Sequence, residues 1–578
     1  MLLISKFVHL YFFITFITKI FKQVLFKNGF CFNNKMIMKK YRFVFLFVLL
    51  AFSFSTFAQL NNDAPKVKTA NGVIEGINNS GVKIFKGVPF AAPPVGEFRW
   101  KEPQPVISWT GVRKADKFGP RPMQLALFGD MNFGSAKMSE DCLYLNIWTP
   151  AITGNEKLPV LVYFYGGGLM AGGGCEPRYA GETLARKGII SITVNYRLGI
   201  FGFFSHPELT KESPKHASGN YGYLDQTAAL RWIKANISAF GGDPRRVTIA
   251  GESAGSISVS AQVCSPLSKD LISGAIGSSG SLMGALSPIP LAEAEKNGQK
   301  VAKSLNAETL SGLRAISAEK LLEAKGQFSS AIDGYFLPKS PVDIYSNGEQ
   351  AKVPSLIGWN SQEMVYQFFL GGKEPTLVNF KEAVKNKFGD NADKIIELYH
   401  ATDDASVISA ATDLASDMFI GFSTWKWTDI QKKTGGKPVF RYRFCHPRPE
   451  MVATMRNKVA GLAGGVQDAP AKSISKTPKA TGASHSSDIE YAMGNLYTNR
   501  VYDWQPDDFI VSEIFQSYYL NFVKTGNPNG LGVPEWPAIN NQAVPGVLQI
   551  DVDTHVITNG DLEKRYELLN SFYFPTKK

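Results

Sequence analysis

Arg246-Val247-Thr248-Ile249-Ala250-Gly251-Glu252-Ser253-Ala254-Gly255 joins a short β-branched run to a Gly-x-Ser-x-Gly pentapeptide, and a helix-like stretch of small and apolar residues follows. A strand that turns into a helix over so few residues brings backbone segments almost into contact, so the serine's neighbours must carry little side chain. Ala254 and the two glycines meet that demand. The pentapeptide alone is a weak signal, because a Gly-rich turn whose serine merely caps a helix reads the same way. Its surroundings have to decide.

Working outward, apolar β-branched runs recur at residues 158–165, 188–196, 246–251, 271–277, 354–359 and 439–444, with helical or Gly-rich stretches between them. Buried runs alternating with helices predict an α/β chain with a mixed, largely parallel sheet covered on both faces. Leu224, Ala228 and Trp232, with Ile233, Ile237 and Phe240, repeat at three and four residues and read as one covering helix that stops before Gly241-Gly242-Asp243-Pro244. The stretch from Ala460 to Ala483, rich in Ala, Gly, Lys and Ser, reads as an exposed loop. No linker divides the rest, so residues 59–578 are expected to form one domain.

Composition excludes disorder, coiled coil and collagen: 44% of the 578 residues are hydrophobic, 19% charged and 12% aromatic. The formal net charge of +12 suggests an anionic partner until it is mapped. Residues 1–58 hold eight Lys and Arg and no acid, so only +4 is left over the other 520 residues. No nucleic-acid partner is expected on that balance. Met38-Lys39-Lys40-Tyr41-Arg42, the apolar run from Phe43 to Phe54, and Ser55-Thr56-Phe57-Ala58 before Gln59 have the three parts of a secretory signal peptide. Residues 1–37 read as an over-extended start, cleavage is expected after Ala58, and the product is secreted or periplasmic. Lys19 and Lys22 break the first apolar stretch, and neither stretch reaches the roughly 20 clean residues of a span, so no stable membrane span is expected in the mature chain. Cys142, Cys175, Cys264 and Cys445 are scattered without metal-ligand spacing, and an oxidising compartment leaves three full pairings open.

A serine hydroxyl needs a base, almost always histidine, and a group to orient it. Of seven histidines, His485 lies among small residues in Gly482-Ala483-Ser484-His485-Ser486-Ser487-Asp488, while His446, after the run 439–444, is its main competitor. Glu363 follows the run 354–359, at the carboxyl edge where open α/β sheets carry their sites. Gly166-Gly167-Gly168 directly follows the run ending at Tyr165 and leaves backbone N–H groups free to close on an oxyanion, together with that of Ala254. Gly166 to Ala171 also satisfies a dinucleotide fingerprint, but the next run ends in Asn195-Tyr196-Arg197, without the acid that would bind a ribose.

Several longer strings extend the case: Phe85-Lys86-Gly87-Val88-Pro89-Phe90-Ala91, Glu140-Asp141-Cys142-Leu143-Tyr144-Leu145-Asn146-Ile147-Trp148, Gly219-Asn220-Tyr221-Gly222-Tyr223-Leu224-Asp225-Gln226 and Thr525-Gly526-Asn527-Pro528-Asn529. From about Val67 to Leu569 the chain resembles the type-B carboxylesterases, relatives of the cholinesterases, in the α/β-hydrolase fold. The resemblance implies Ser253 as nucleophile, His485 as general base, Glu363 as the orienting acid, and Gly167, Gly168 and Ala254 as oxyanion donors. It implies hydrolysis of a small or medium ester through an acyl-enzyme, with no metal or organic cofactor. Two features depart from the family: Tyr165 stands where histidine is usual, and Pro122 replaces the cysteine that would pair with Cys142, so the first loop disulfide is expected to be absent. A silent binding module of the same fold and an acyltransferase using the same serine are the rival readings; oligomeric state is left open.

Overall fold

Seven parallel strands form the centre of an eleven-stranded sheet in a computed structural model of the chain, which describes residues 64–284, 286–455, 457–468, 481–558 and 560–575. In chain order the strands are β1 (Ile77–Asn79), β2 (Val82–Pro89), β3 (Tyr144–Thr149), β4 (Leu158–Phe164), β5 (Ile190–Val194), β6 (Gly242–Glu252), β7 (Gly274–Ser278), β8 (Ser355–Asn360), β9 (Val439–Phe444), β10 (Val547–Ile550) and β11 (His555–Ile557). Across the sheet they lie β11-β10-β9-β8-β7-β6-β4-β5-β3-β2-β1. The stretch from β5 to β10 is parallel, and antiparallel strands close both edges.

Successive side chains of a strand face opposite sides of a sheet. All five residues of β5 and all six of β8 are buried, so both faces of the centre are covered, which is why these strands read as continuous apolar runs. The covering helices include α1 (Tyr221–Asn236), α2 (Ala254–Cys264), α3 (Asp404–Ser416), α4 (Phe422–Thr434), α5 (Pro506–Thr525) and α6 (Gly560–Tyr573). All six expected runs are strands, with ends shifted by up to four residues. The largest shift is at β6, which starts at Gly242 because that residue pairs with Leu158 ahead of an irregularity before Val247. The helix expected through Phe240 is α1 plus a terminal 3-10 turn, closed by Gly241 at φ +83°.

The expectation for residues 460–483 needs correction. Lys458–Ala460 and Val466–Asp468 pair as an antiparallel hairpin, and Ala463 and Ala483 are buried. Small residues there mark close packing and not only exposure. Residues 469–480 and the expected leader, with its signal peptide at 38–58, lie outside the described residues. The unit that holds the sheet runs from Ala64 to Lys578. No helix among the described residues is long and apolar enough to cross a membrane. Cys142, Cys175, Cys264 and Cys445 are free thiols, and Pro122 lines the same small cavity as Cys142.

Candidate active site

Ser253 sits between β6 and α2 at φ +56° and ψ −124°, a conformation that costs a non-glycine residue about 1–3 kcal/mol. The turn is held by its surroundings: the Ser253 N–H donates to the Ser278 carbonyl (2.8 Å), and its own carbonyl accepts the Ile257 N–H (2.9 Å). A methyl at Gly251 would lie 2.4 Å from the Gly255 carbonyl carbon, and one at Gly255 would lie 2.1 Å from the Phe164 oxygen. The steric demand read from the pentapeptide is thus met on both sides of the serine. A serine that only caps a helix would accept an N–H of its first turn, and Ser253 makes no such bond.

His485 Nε2 lies 3.0 Å from Ser253 Oγ, and its Nδ1 lies 2.6 Å from Glu363 Oε2. With the carboxylate on Nδ1, that nitrogen carries the proton and Nε2 is left to accept one from the serine. The turns that carry the acid and the histidine are bound to each other directly. The Gln362 N–H donates to the Ala483 carbonyl and the Ala483 N–H donates to Ser361 Oγ, both at 2.8 Å. Glu363 Oε1 accepts the Asn360 N–H (2.6 Å) and the Ser279 hydroxyl, so its second oxygen is fixed as well. The structure therefore brings together the three side chains expected from sequence.

The glycine run also lies where it was expected. Gly166 flanks the serine: a methyl there would be 3.2 Å from Ser253 Cβ and 2.8 Å from the Glu252 carbonyl oxygen. Among the described residues the N–H groups of Gly167, Gly168 and Ala254 donate to no acceptor, and Ala254 opens α2, where N–H groups have no partner in the helix. No helix opens at the glycines, the first helical turn after them being Pro177–Tyr179, which removes the dinucleotide reading. Tyr165, in place of the family's histidine, stacks on Tyr196 at 4.3 Å, and each hydroxyl donates to the other's carbonyl, at 3.0 and 2.6 Å. That double latch fixes the backbone just before the glycines.

His446 is a structural residue: its Nδ1 meets Asp551 at 2.7 Å and its Nε2 meets Asp508 at 3.0 Å. Burial opposes the charge, yet the two carboxylates raise its pKa to about 9.

Sequence reasoning missed several groups around the imidazole. Glu252, the residue before the serine, is buried with Oε1 at 3.3 Å from His485 Nε2. Burial pushes its carboxyl up to about 8, against the pull of His485. Asp488, which accepts from Asn360 Nδ2 (3.2 Å), is likewise raised by burial, to about 6. Burial pulls the His485 pKa down, but Glu252 and Glu363 outweigh it and hold the group at about 9, well above the ordinary 6.5. Phe419 stands edge-on to the imidazole at 5.1 Å and meets Phe368 at 6.5 Å. It is carried on a π turn, Asp417–Gly421, inserted between α3 and α4, and Asp417 anchors that turn by accepting the hydroxyls of Tyr399 and Tyr566, each at 2.8 Å. Among the described residues no cluster of His, Cys, Asp and Glu could hold a metal ion.

Comparison with known proteins bears on the family and the fold. A family model for the carboxylesterase family matches residues 63–569. The chain is 37% identical over 402 residues to a fumonisin B1 esterase of Sphingopyxis macrogoltabida, covering 66% of this chain and 72% of that one. It is 32% identical over 551 residues to carboxylesterase 1D of Rattus norvegicus, covering 85% and 90%. The solved structure of a Geobacillus stearothermophilus carboxylesterase, EST55, superposes with a TM-score of 0.72 at 29% identity over 87% of this chain and 99% of that one.

Proposed function

The chain belongs to the carboxylesterase family and is a carboxylic ester hydrolase, and from that premise we propose that Ser253 is its nucleophile, His485 its general base and Glu363 the group that orients the base. The observation that carries this assignment is the unbroken chain of contacts from Glu363 through His485 to the Ser253 hydroxyl, at 2.6 and 3.0 Å. His485 takes the hydroxyl proton as Ser253 attacks the ester carbonyl. The N–H groups of Gly167, Gly168 and Ala254 hold the oxyanion, and the imidazolium returns its proton to the leaving alcohol. Water then repeats the sequence on the acyl-serine and releases the acid.

The substrate is a small or medium neutral ester, and its reacting end meets apolar surface. Phe419 beside the imidazole, Phe368 against it, and Met131, whose methyl lies 3.0 Å from where a Gly167 Cβ would stand, support that reading. The test is a p-nitrophenyl ester series on the chain from Gln59. Butyrate is expected to exceed acetate in kcat/KM by about tenfold, at about 0.8 kcal/mol for each buried methylene. A preference for a charged acyl group such as succinate overturns it. The motif at 38–58 supports export through a cleaved signal peptide, and a mature N-terminus well before Gln59 overturns that.

A further inference from the structure

The family's first loop disulfide cannot form here, since Pro122 replaces one cysteine, yet the loop between Pro122 and Met138 has a tether of another kind. Asp130, in this loop, is buried, and its Oδ2 accepts the N–H groups of Ala463 (2.7 Å) and Gly465 (3.1 Å) from the tip of the 458–468 hairpin. The tip is shaped for that carboxylate. A methyl at Gly461 would lie 2.2 Å from the Asp130 carboxyl carbon, and one at Gly465 would lie 2.2 Å from the Asp130 carbonyl oxygen.

The same tip is held from its other side by the histidine segment. The Ser486 hydroxyl, one residue after His485, donates to the Leu462 carbonyl, and Asn499 Nδ2 donates to the Gly464 carbonyl (2.8 Å). Arg448 completes the bracing, donating to the Ser486 carbonyl (3.1 Å) and to Glu490 (2.7 Å). On the loop side, Met131 follows Asp130 directly and its methyl packs against Gly167, one of the free oxyanion donors. One short path of contacts thus links the base to the oxyanion glycines: His485, Ser486, the hairpin tip, Asp130, Met131, Gly167.

We propose that Asp130 is a positioning residue for ester hydrolysis, whose carboxylate, seated in the hairpin tip, fixes the spacing between His485 and the Gly167 region of the oxyanion site. The inference rests on the roles assigned above to Ser253 and His485. Asp130 touches neither substrate nor reacting atoms. Its loss leaves one buried and one half-buried N–H group without acceptors and lets loop and hairpin separate, which degrades alignment in the transition state more than ground-state binding.

Kinetics on p-nitrophenyl acetate test it. Asp130→Ala is expected to lower kcat about tenfold with KM within about twofold, the signature of an interaction realised in the transition state. Asp130→Asn keeps a side-chain oxygen for the two N–H groups and is expected to recover most of that loss. Gly465→Ala leaves the carboxylate intact but drives a methyl into the Asp130 carbonyl, so it is expected to show the same fall in kcat; it also carries the test if Asp130→Ala does not accumulate as folded protein. Wild-type kcat in Asp130→Ala or, failing that, in Gly465→Ala overturns the proposal. So does a loss in which Asn is no better than Ala and kcat merely follows the fraction folded. Ser253→Ala, run alongside, separates the two levels: an active Ser253→Ala removes the underlying assignment, whereas an inactive one beside a wild-type Asp130→Ala removes the clamp alone.

Discussion

Ser253→Ala reduces ester turnover by about a millionfold and leaves only what the oxyanion donors and substrate binding supply without a nucleophile. The size follows from the route: without Oγ there is no acyl-enzyme, and water must attack the carbonyl without covalent assistance. His485→Ala is expected to cost nearly as much, because a serine hydroxyl whose proton has no acceptor is a poor nucleophile. The Ser253→Ala/His485→Ala double variant should be no slower than Ser253→Ala, since the two groups act as one unit 3.0 Å apart. Steady-state rates on p-nitrophenyl acetate, with labelling by a fluorophosphonate, measure all three. Stoichiometric labelling of wild type that persists in Ser253→Ala would show another nucleophile and end the assignment. Ser253→Gly adds a check on the backbone: glycine tolerates φ +56° without the side-chain penalty, so this variant should be inactive yet no less stable than Ser253→Ala.

The centre of the fold was legible because its chemistry is local. A strand buried on both faces must be apolar throughout, and the residues from Leu158 to Phe164 and from Val439 to Phe444 announce themselves for that reason. Ser253, Glu363 and His485 were legible for a related reason: each follows a recognisable string, and the first two stand at the carboxyl edge where the sheet's loops converge. What lay beyond reach depends on which loops meet. Nothing local in Ser361-Gln362 and Ala483 shows that they exchange hydrogen bonds, and that exchange is what sets the Glu363 to His485 contact. Phe419 reaches the imidazole only because five residues of an otherwise regular helical stretch adopt a π turn, which periodicity over α3 and α4 does not reveal. The start of the 460–483 stretch was misread in part through its glycines: Gly461 and Gly465 look like an exposed loop in one dimension, but in three they make room for Asp130. Glu252 was quoted with the pentapeptide and given no role, although a carboxylate on the residue before the serine, at the end of a strand, was bound to lie near the site.

Glu363→Gln should lower kcat/KM by about 10³ to 10⁴-fold and move what activity survives to lower pH. The rate loss comes from the proton on Nδ1. Glu363 Oε2, at 2.6 Å, accepts it and so leaves Nε2 bare toward Ser253. A carboxamide can turn its NH₂ toward Nδ1, which then accepts, and Nε2 must carry the hydrogen and can no longer take one from the serine. Any variant molecule that keeps the right tautomer also lacks the negative charge that stabilises the imidazolium. The pH effect has a definite sign. His485 acts as a base only when neutral, so activity is lost as pH falls through its pKa. In the wild-type site burial lowers that pKa, but Glu252 and Glu363 overcome burial and hold it near 9, so the acid limb of kcat/KM should lie on the alkaline side of the unperturbed 6.5. Removing the Glu363 charge takes away one of the two largest upward pulls, and the limb of Glu363→Gln should shift toward acid. Glu252→Gln removes the other pull without touching the Nδ1 contact, so it should shift the limb in the same direction while costing far less in plateau rate. Profiles of kcat/KM between pH 5 and 10 for the three proteins decide the matter. A Glu363→Gln profile whose limb stays in place while its plateau falls would mean that the acid orients the ring without setting its charge, and a Glu252→Gln plateau as low as that of Glu363→Gln would exchange the roles given to the two carboxylates.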